Sequence, residues 1–223
     1  MKRSKLSRIL LASNSPRRKE LIQLGGWPFR VMPADVDESV LAGEPADQYV
    51  LRLAEVKARA VAPQAEAGEI IVAADTTVAD GTEILGKPQD AGEARTMLTR
   101  LRGRVHQVYT ALAVYDPAED RLVRELAATD VPMRDYSAEE IEAYIATGDP
   151  FDKAGSYAIQ HAEFRPAGQL SGCYANVVGL PLCHLARAVA QFGLTAADDL
   201  PAACQSALGY DCTVFNQVQK GVL

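Results

Sequence analysis

Arg8-Ile9-Leu10-Leu11-Ala12, followed at once by Ser13-Asn14-Ser15-Pro16-Arg17-Arg18-Lys19, decides how this chain begins to fold. The first five residues form an apolar run of strand length. Ser15 and Pro16 then read as a helix start, with Ser at the N-cap, Pro at the first helical position and a helix to about Leu24, before Gly25-Gly26. A buried strand feeding a helix N-terminus aims free backbone N–H groups and the positive end of the helix dipole at whatever lies beyond the strand. Arg17, Arg18 and Lys19 oppose that dipole from within the first turn. Two readings stay open: a phosphate compensates them, or they are a solvated basic helix start.

These cations belong to a wider asymmetry. The chain has 223 residues, 23 Lys+Arg against 29 Asp+Glu, and a net charge of -6. Seven cations (Lys2, Arg3, Lys5, Arg8, Arg17, Arg18 and Lys19) precede the first acid, Glu20, leaving 16 basic against 29 acidic groups after them. An acidic body repels a polyanion, which argues against a nucleic-acid polymer as partner and still permits a small anion in a local basic pocket. Lys2, Arg3, Lys5 and Arg8 read as a solvated approach to the first strand. At 48% hydrophobic and 23% charged the composition is soluble and globular. No run approaches the roughly 18 apolar residues of a membrane span, and the apolar run after the basic start is too short for a signal peptide. The expected location is the cytoplasm, with no membrane partner. Cys173, Cys183, Cys204 and Cys212 form no C-x-x-C pair and the histidines are scattered, so idle thiols are expected rather than a zinc site.

Outward from the opening unit, Phe29–Met32 suits a second strand and Pro45–Val61 a long helix. Ile70–Ala74 reads as a buried strand that ends at Asp75, and Asp80-Gly81 as a hairpin turn. Ala91–Leu101 returns to helix. Val105–Tyr115 and Leu122–Val131 read as antiparallel strands, and Ser137-Ala138-Glu139-Glu140 as a capping box opening a helix to about Ala146. Gly155–Leu180 is expected to be mostly strand and loop, Leu180-Pro181 to begin a last helix, and the segment after Thr195 to be a weakly ordered tail. The fold class is α/β with a mixed twisted sheet flanked by helices.

Four groups of side chains could carry chemistry. Asp75, at the end of an apolar strand, is placed to hold a divalent cation or orient a water, and is equally a turn or cap residue. Glu38, in the acidic loop Asp35-Val36-Asp37-Glu38, could complete a Mg²⁺ site with it or simply face solvent. Lys87 is fixed between Gly86 and Pro88, whereas Lys57 taken alone reads as a surface lysine. Ala154–Gln160 brings small residues and the Gln160 amide, which could read a base edge; its spacing equally fits a plain strand. His106 reads as packed or solvated, with titration in catalysis the alternative.

Taken in order, these segments resemble the Maf family. The matching stretches are Leu11–Arg18, Asp35–Glu38, Leu53–Ala58, Ala74–Thr76, Gly86–Pro88, Gly103–Thr110, Ala154–Gln160 and Asn176–Leu182. The resemblance implies a domain over 1–195 with a C-terminal tail over 196–223, an ITPase-like two-lobed fold with a central cleft, and a homodimer. It implies a nucleoside triphosphate pyrophosphatase using Mg²⁺ or Mn²⁺. Its catalytic positions map onto Asp75, Glu38, Lys57 and Lys87, with Glu38 and Asp75 at the metal. Its substrate-side positions map onto Ser13, Arg17, Arg18, Thr76 and Gln160. Thr76 and Gln160 match the branch acting on dTTP and UTP rather than 7-methyl-GTP. A nucleotide-binding role in cell division is the reading from another functional class.

Overall fold

In the computed structural model, which describes residues 8–222, the apolar alternation of one long strand sets the layers. That strand is β3 (Glu69–Asp80). It follows β1 (Arg8–Leu11), α1 (Pro16–Gln23), β2 (Phe29–Val31) and α2 (Ala46–Val61). After it come β4 (Glu83–Leu85), α3 (Ala91–Leu101), β5 (Val105–Asp116), β6 (Arg121–Pro132) and α4 (Ala138–Ala146). Lys2, Arg3 and Lys5 lie outside the described residues.

The sheet runs β2-β1-β3-β5-β6, with β4 also paired to β3. β1 lies parallel to both β2 and β3, and the remaining pairs are antiparallel. Ile71 and Ala73 of β3 face α2, packing with its Val50, Ala54 and Ala58. Ile70, Val72 and Ala74 face the other way, onto Leu21 and Ile22 of α1 and onto α6 (Leu182–Ala190). Further along that second face, Val78 belongs to a separate apolar cluster with Leu98 of α3, Tyr144 of α4 and Tyr157. The long strands are therefore shared by two apolar clusters, and the seam between them falls at Thr76 (two-residue side-chain alternation puts Ala74, Thr76 and Val78 on one face).

Asp75 is not at a strand end. β3 continues to Asp80 because β5 pairs with it without a break from Ile71↔Tyr115 to Ala79↔Gln107. On the opposite edge, β1 covers β3 only as far as Val72, and β4 begins only at Val78. Residues 73–77 thus lie on an edge left open between two partner strands. A mid-strand carboxylate has access to a cleft because its neighbour, rather than its own strand, has ended.

Three further expectations are corrected. Gly155–Leu180 has no strand; it continues a 3-10 turn over Ala154–Ser156 into loops and α5 (Tyr174–Val178). Gly155 makes this path possible: its φ is +68°, and a Cβ there would sit 2.9 Å from Val78 Cγ1. The helix at Leu182 is not the last, because α7 (Leu200–Leu208) and α8 (Phe215–Gln219) follow, with Leu200 and Val218 buried. They make the tail a packed element, whose Cys204 and Cys212 line one small pocket together with Cys173, α5 and Cys183 of α6. Burial pushes the Cys173 and Cys204 thiols up to about 12 and Cys183 to about 11. Such thiols carry little thiolate and are poorly reactive.

Arg8 is also not a solvated approach residue. It pairs at 2.8 Å with Glu69, whose side chain is 1% exposed, and Arg30 closes on the same carboxylate at 2.7 Å. The Arg30 hydrogen bonds hold the Glu69 carboxyl below the usual range. A depressed carboxyl pKa stabilises the fold above the unfolded value of about 4.3, and that contribution disappears as pH falls through the folded value. Glu69→Gln is expected to cost about 2 kcal/mol at neutral pH, discounted for the partly exposed arginines, and to flatten the stability curve below about pH 4. Urea unfolding as a function of pH measures both; an unchanged acid limb would remove Glu69 from this account.

Candidate active site

The open edge of β3 forms one wall of a cavity of about 470 Å³. Ser13, Arg17, Arg18, Glu38, Lys57, Asp75, Thr76, Lys87 and Gln160 all line it, although they come from opposite ends of the sequence. Asp35, Asp37, Lys19 and His106 do not. Asp37 turns back to bind Ser39 N at 2.9 Å, and Lys19 reaches Asn14 Oδ1 at 3.3 Å.

The acidic centre is built on α2. Lys57 lies on the buried face of that helix, so it is no surface lysine: its residue is 8% exposed. Its Nζ donates to Asp75 Oδ1 at 2.6 Å and lies 2.6 Å from Glu38 Oε1. The same helix holds the Glu38 loop in place, because Tyr49 Oη donates to the Glu38 carbonyl at 2.8 Å. Burial drives the Asp75 carboxyl above the ordinary aspartate range, against the pull of Lys57 and Arg18. Burial also acts to raise Glu38, but the Lys57 hydrogen bond and the charges of Lys57, Lys87 and Arg18 outweigh it and leave Glu38 low. One carboxyl is thus poised to take a proton and the other is kept ionised.

Two hard oxygen donors converge here on one cation-sized position, at present occupied by an ammonium. That donor set fits Mg²⁺ or Mn²⁺. No cluster of three His, Cys, Asp or Glu suited to a metal occurs among the described residues, so the other ligands would come from water or a bound phosphate.

The two arginines part company. Arg17 is half-buried in the cavity wall, with no hydrogen bond or ion pair among the described residues. Arg18 instead turns into the protein. Its Nε donates to Gly179 O at 2.8 Å, Nη1 to Ala74 O at 2.8 Å and Nη2 to Thr76 Oγ1 at 2.9 Å. It braces α1, the open edge of β3 and the end of α5. The Gly179 φ of +115° and absent Cβ allow this approach, since a Cβ would lie 3.2 Å from Thr76 Oγ1. The α1 N-terminus is capped as the sequence indicates, with Ser15 Oγ accepting from Arg18 N at 3.4 Å. Lys87 and Gln160 are exposed at the rim.

Sequence reasoning passed over two cavity residues. Lys153 is buried, with its ammonium held by Asp149 and Asp152 at 2.9 and 2.6 Å. Tyr157 is buried in the wall and its hydroxyl meets His106 Nε2 at 2.7 Å. Burial lowers His106 to about 4, so it is a packed, neutral imidazole behind the cavity. Both residues fall in or beside quoted stretches; the Lys153 partners are local, but nothing in the spacing around Tyr157 signals its contact with His106 across about fifty residues.

The chain is similar in sequence to known proteins. Residues 8–192 match the family described as Maf-like protein. The chain is 46% identical over 187 residues to a dTTP/UTP pyrophosphatase of Geotalea uraniireducens, covering 84% of this chain and 96% of that protein. It is 48% identical over 189 residues to a dTTP/UTP pyrophosphatase of Geobacter sp. strain M21, covering 85% and 97%. Among solved structures, the Ham1 protein of Staphylococcus aureus aligns with a TM-score of 0.41 and 15% identity over 74% of this chain and 91% of that one, a likeness too slight to argue from.

Proposed function

The chain belongs to the Maf family, and from that premise we propose that it hydrolyses dTTP and UTP to the monophosphate and pyrophosphate. The observation that carries this reading is the convergence of Glu38 and Asp75 on the Lys57 ammonium, beside a capped helix start and Arg17. Phosphates fit that polar end, where the start of α1 supplies backbone N–H groups and the loop before it supplies Ser13. A base fits the other end, walled by Val78, Val108, Tyr157 and Ile159.

In the reaction a water oxygen bonds to the α-phosphorus and the α–β bridging bond breaks. Its electron pair leaves on the pyrophosphate, and a water proton passes to Asp75. Lys57 takes one Asp75 oxygen, and Oδ2 has no hydrogen-bond partner among the described residues. A carboxyl whose pKa lies nearer neutrality makes a better proton acceptor than an ordinary aspartate. Arg17 and Lys87 neutralise charge on the leaving pyrophosphate. Glu38 and Asp75 would hold Mg²⁺ or Mn²⁺, whose chemistry when bound is to polarise the phosphate oxygens. We place the enzyme in the cytoplasm as a homodimer acting on free nucleotides. No helix of the described residues is long and apolar enough to cross a membrane.

The test is pyrophosphate release across a nucleotide panel with Mg²⁺. Turnover of dTTP and UTP supports the reading, whereas a clear preference for 7-methyl-GTP, or inertness on every member, sinks it. Lys87→Ala is expected to lower kcat/KM by about a hundredfold with the fold intact, because its exposed side chain carries no packing. Unchanged kinetics would take Lys87 out of the site.

A further inference from the structure

Strand alternation sends Asp75 and Thr76 to opposite faces of β3. Asp75 meets Lys57, while Thr76 stands between Ala74 and Val78, at the apolar end of the cavity. Its hydroxyl therefore borders the surface that suits a base rather than a phosphate.

Three contacts determine which way that hydroxyl points. Arg18 Nη2 donates to Thr76 Oγ1 at 2.9 Å. Thr110, the direct cross-strand partner of Thr76, places its own Oγ1 2.9 Å from Thr76 Oγ1. Thr110 Oγ1 also lies 2.9 Å from the Asn176 carbonyl oxygen. A carbonyl oxygen can only accept, and two oxygens at this separation attract only with a proton between them. The Thr110 hydrogen therefore points at Asn176. The Thr76 hydrogen must then fill the contact with Thr110. A hydroxyl has one donor and two lone pairs. With the donor committed to Thr110 and one lone pair to Arg18, Thr76 offers the cavity a single lone pair.

We infer that Arg18 and Thr110 are positioning residues that hold Thr76 as a one-way hydrogen-bond acceptor, so that the site selects a base presenting a ring N–H. This rests on the pyrimidine pyrophosphatase reading and deepens it. Thymine and uracil carry N3–H between two carbonyls. Cytosine has an unprotonated N3 there, whose lone pair would oppose that of Thr76. A site built to pair with a substrate N–H discriminates against an analogue that lacks it, because its own acceptor is then desolvated and unpaired. Thr110 is fully buried and does not line this cavity, so it acts on a bound base indirectly, through the Thr76 hydroxyl it touches.

The experiment compares the full-length wild type with Thr110→Val and Thr110→Ser, measuring kcat and KM for UTP and CTP. Thr110→Val keeps the volume and frees the Thr76 hydrogen to turn toward the base, so the UTP/CTP ratio of kcat/KM should fall about tenfold, through a lower KM for CTP. Thr110→Ser restores the hydroxyl and should restore the ratio. A wild-type ratio in a folded, active Thr110→Val overturns the inference, as does a Thr110→Ser ratio that follows Val. A second measurement uses the wild type alone: N3-methyl-UTP, which lacks the N–H, should react at least about tenfold more slowly than UTP, and equal rates overturn the inference. A wild type that releases no pyrophosphate from UTP or dTTP overturns the pyrophosphatase reading together with this one. An active wild type with an unmoved ratio overturns only this one.

Discussion

Asp75→Asn is expected to keep the fold and to lower pyrophosphate release from dTTP and UTP by about 10²–10⁴-fold, the range contributed by a positioned proton acceptor. Asparagine has nearly the same shape, and its carbonyl can still accept from Lys57, which sits 2.6 Å from Asp75 Oδ1. What it cannot do is take a proton from water. The substitution also removes a carboxylate whose ionisation burial opposes, so no loss of stability accompanies the loss of turnover. The measurement is steady-state pyrophosphate release alongside thermal unfolding. Turnover within about threefold of wild type would move the proton acceptor elsewhere, with Glu38 next in line.

The second large effect is on stability. Arg18→Leu should destabilise the fold by about 3–5 kcal/mol, because it strands three acceptors that the guanidinium now satisfies. Those acceptors are Gly179 O, Ala74 O and Thr76 Oγ1, contributed by two segments more than a hundred residues apart in sequence. Burial lowers the Arg18 pKa, as expected for a cation whose solvation has been replaced by these contacts. Arg17→Leu, on a side chain with no such partners, should change stability by less than about 0.5 kcal/mol while weakening nucleotide turnover. Urea unfolding of the two variants separates them, and equal stability losses would contradict the division of labour between neighbouring arginines.

That division marks the limit of what could be read from the chain alone. The features that were legible depend on a few adjacent residues. Ser15-Pro16 begins α1, Ser137 and Glu140 form the reciprocal cap of α4, and the β5–β6 hairpin follows from its apolar runs and the turn between them. The fold class and the set of cavity residues were also within reach, the latter through ordered resemblance rather than spacing. The misread elements share a different cause. β3 runs past Asp75 because β5 pairs with it, Gly155 takes its path from a contact with Val78, and the tail folds because α6 offers a surface to α7 and α8. Each was decided by a partner remote in sequence.

The two lysines make the same point in energetic form. Lys87, held in a Gly-Lys-Pro corner, looked the more constrained; it is exposed at the rim, and Lys57 is the buried one that joins Glu38 to Asp75. Sequence by itself determined that a strand feeds a capped helix start carrying three cations, that the body is acidic, and that acids and bases of the right types are present in order. Only the tertiary structure decided which of them face each other. Burial, pKa and the direction of a hydroxyl proton depend on neighbours brought together from across the chain, and local propensity carries no record of them.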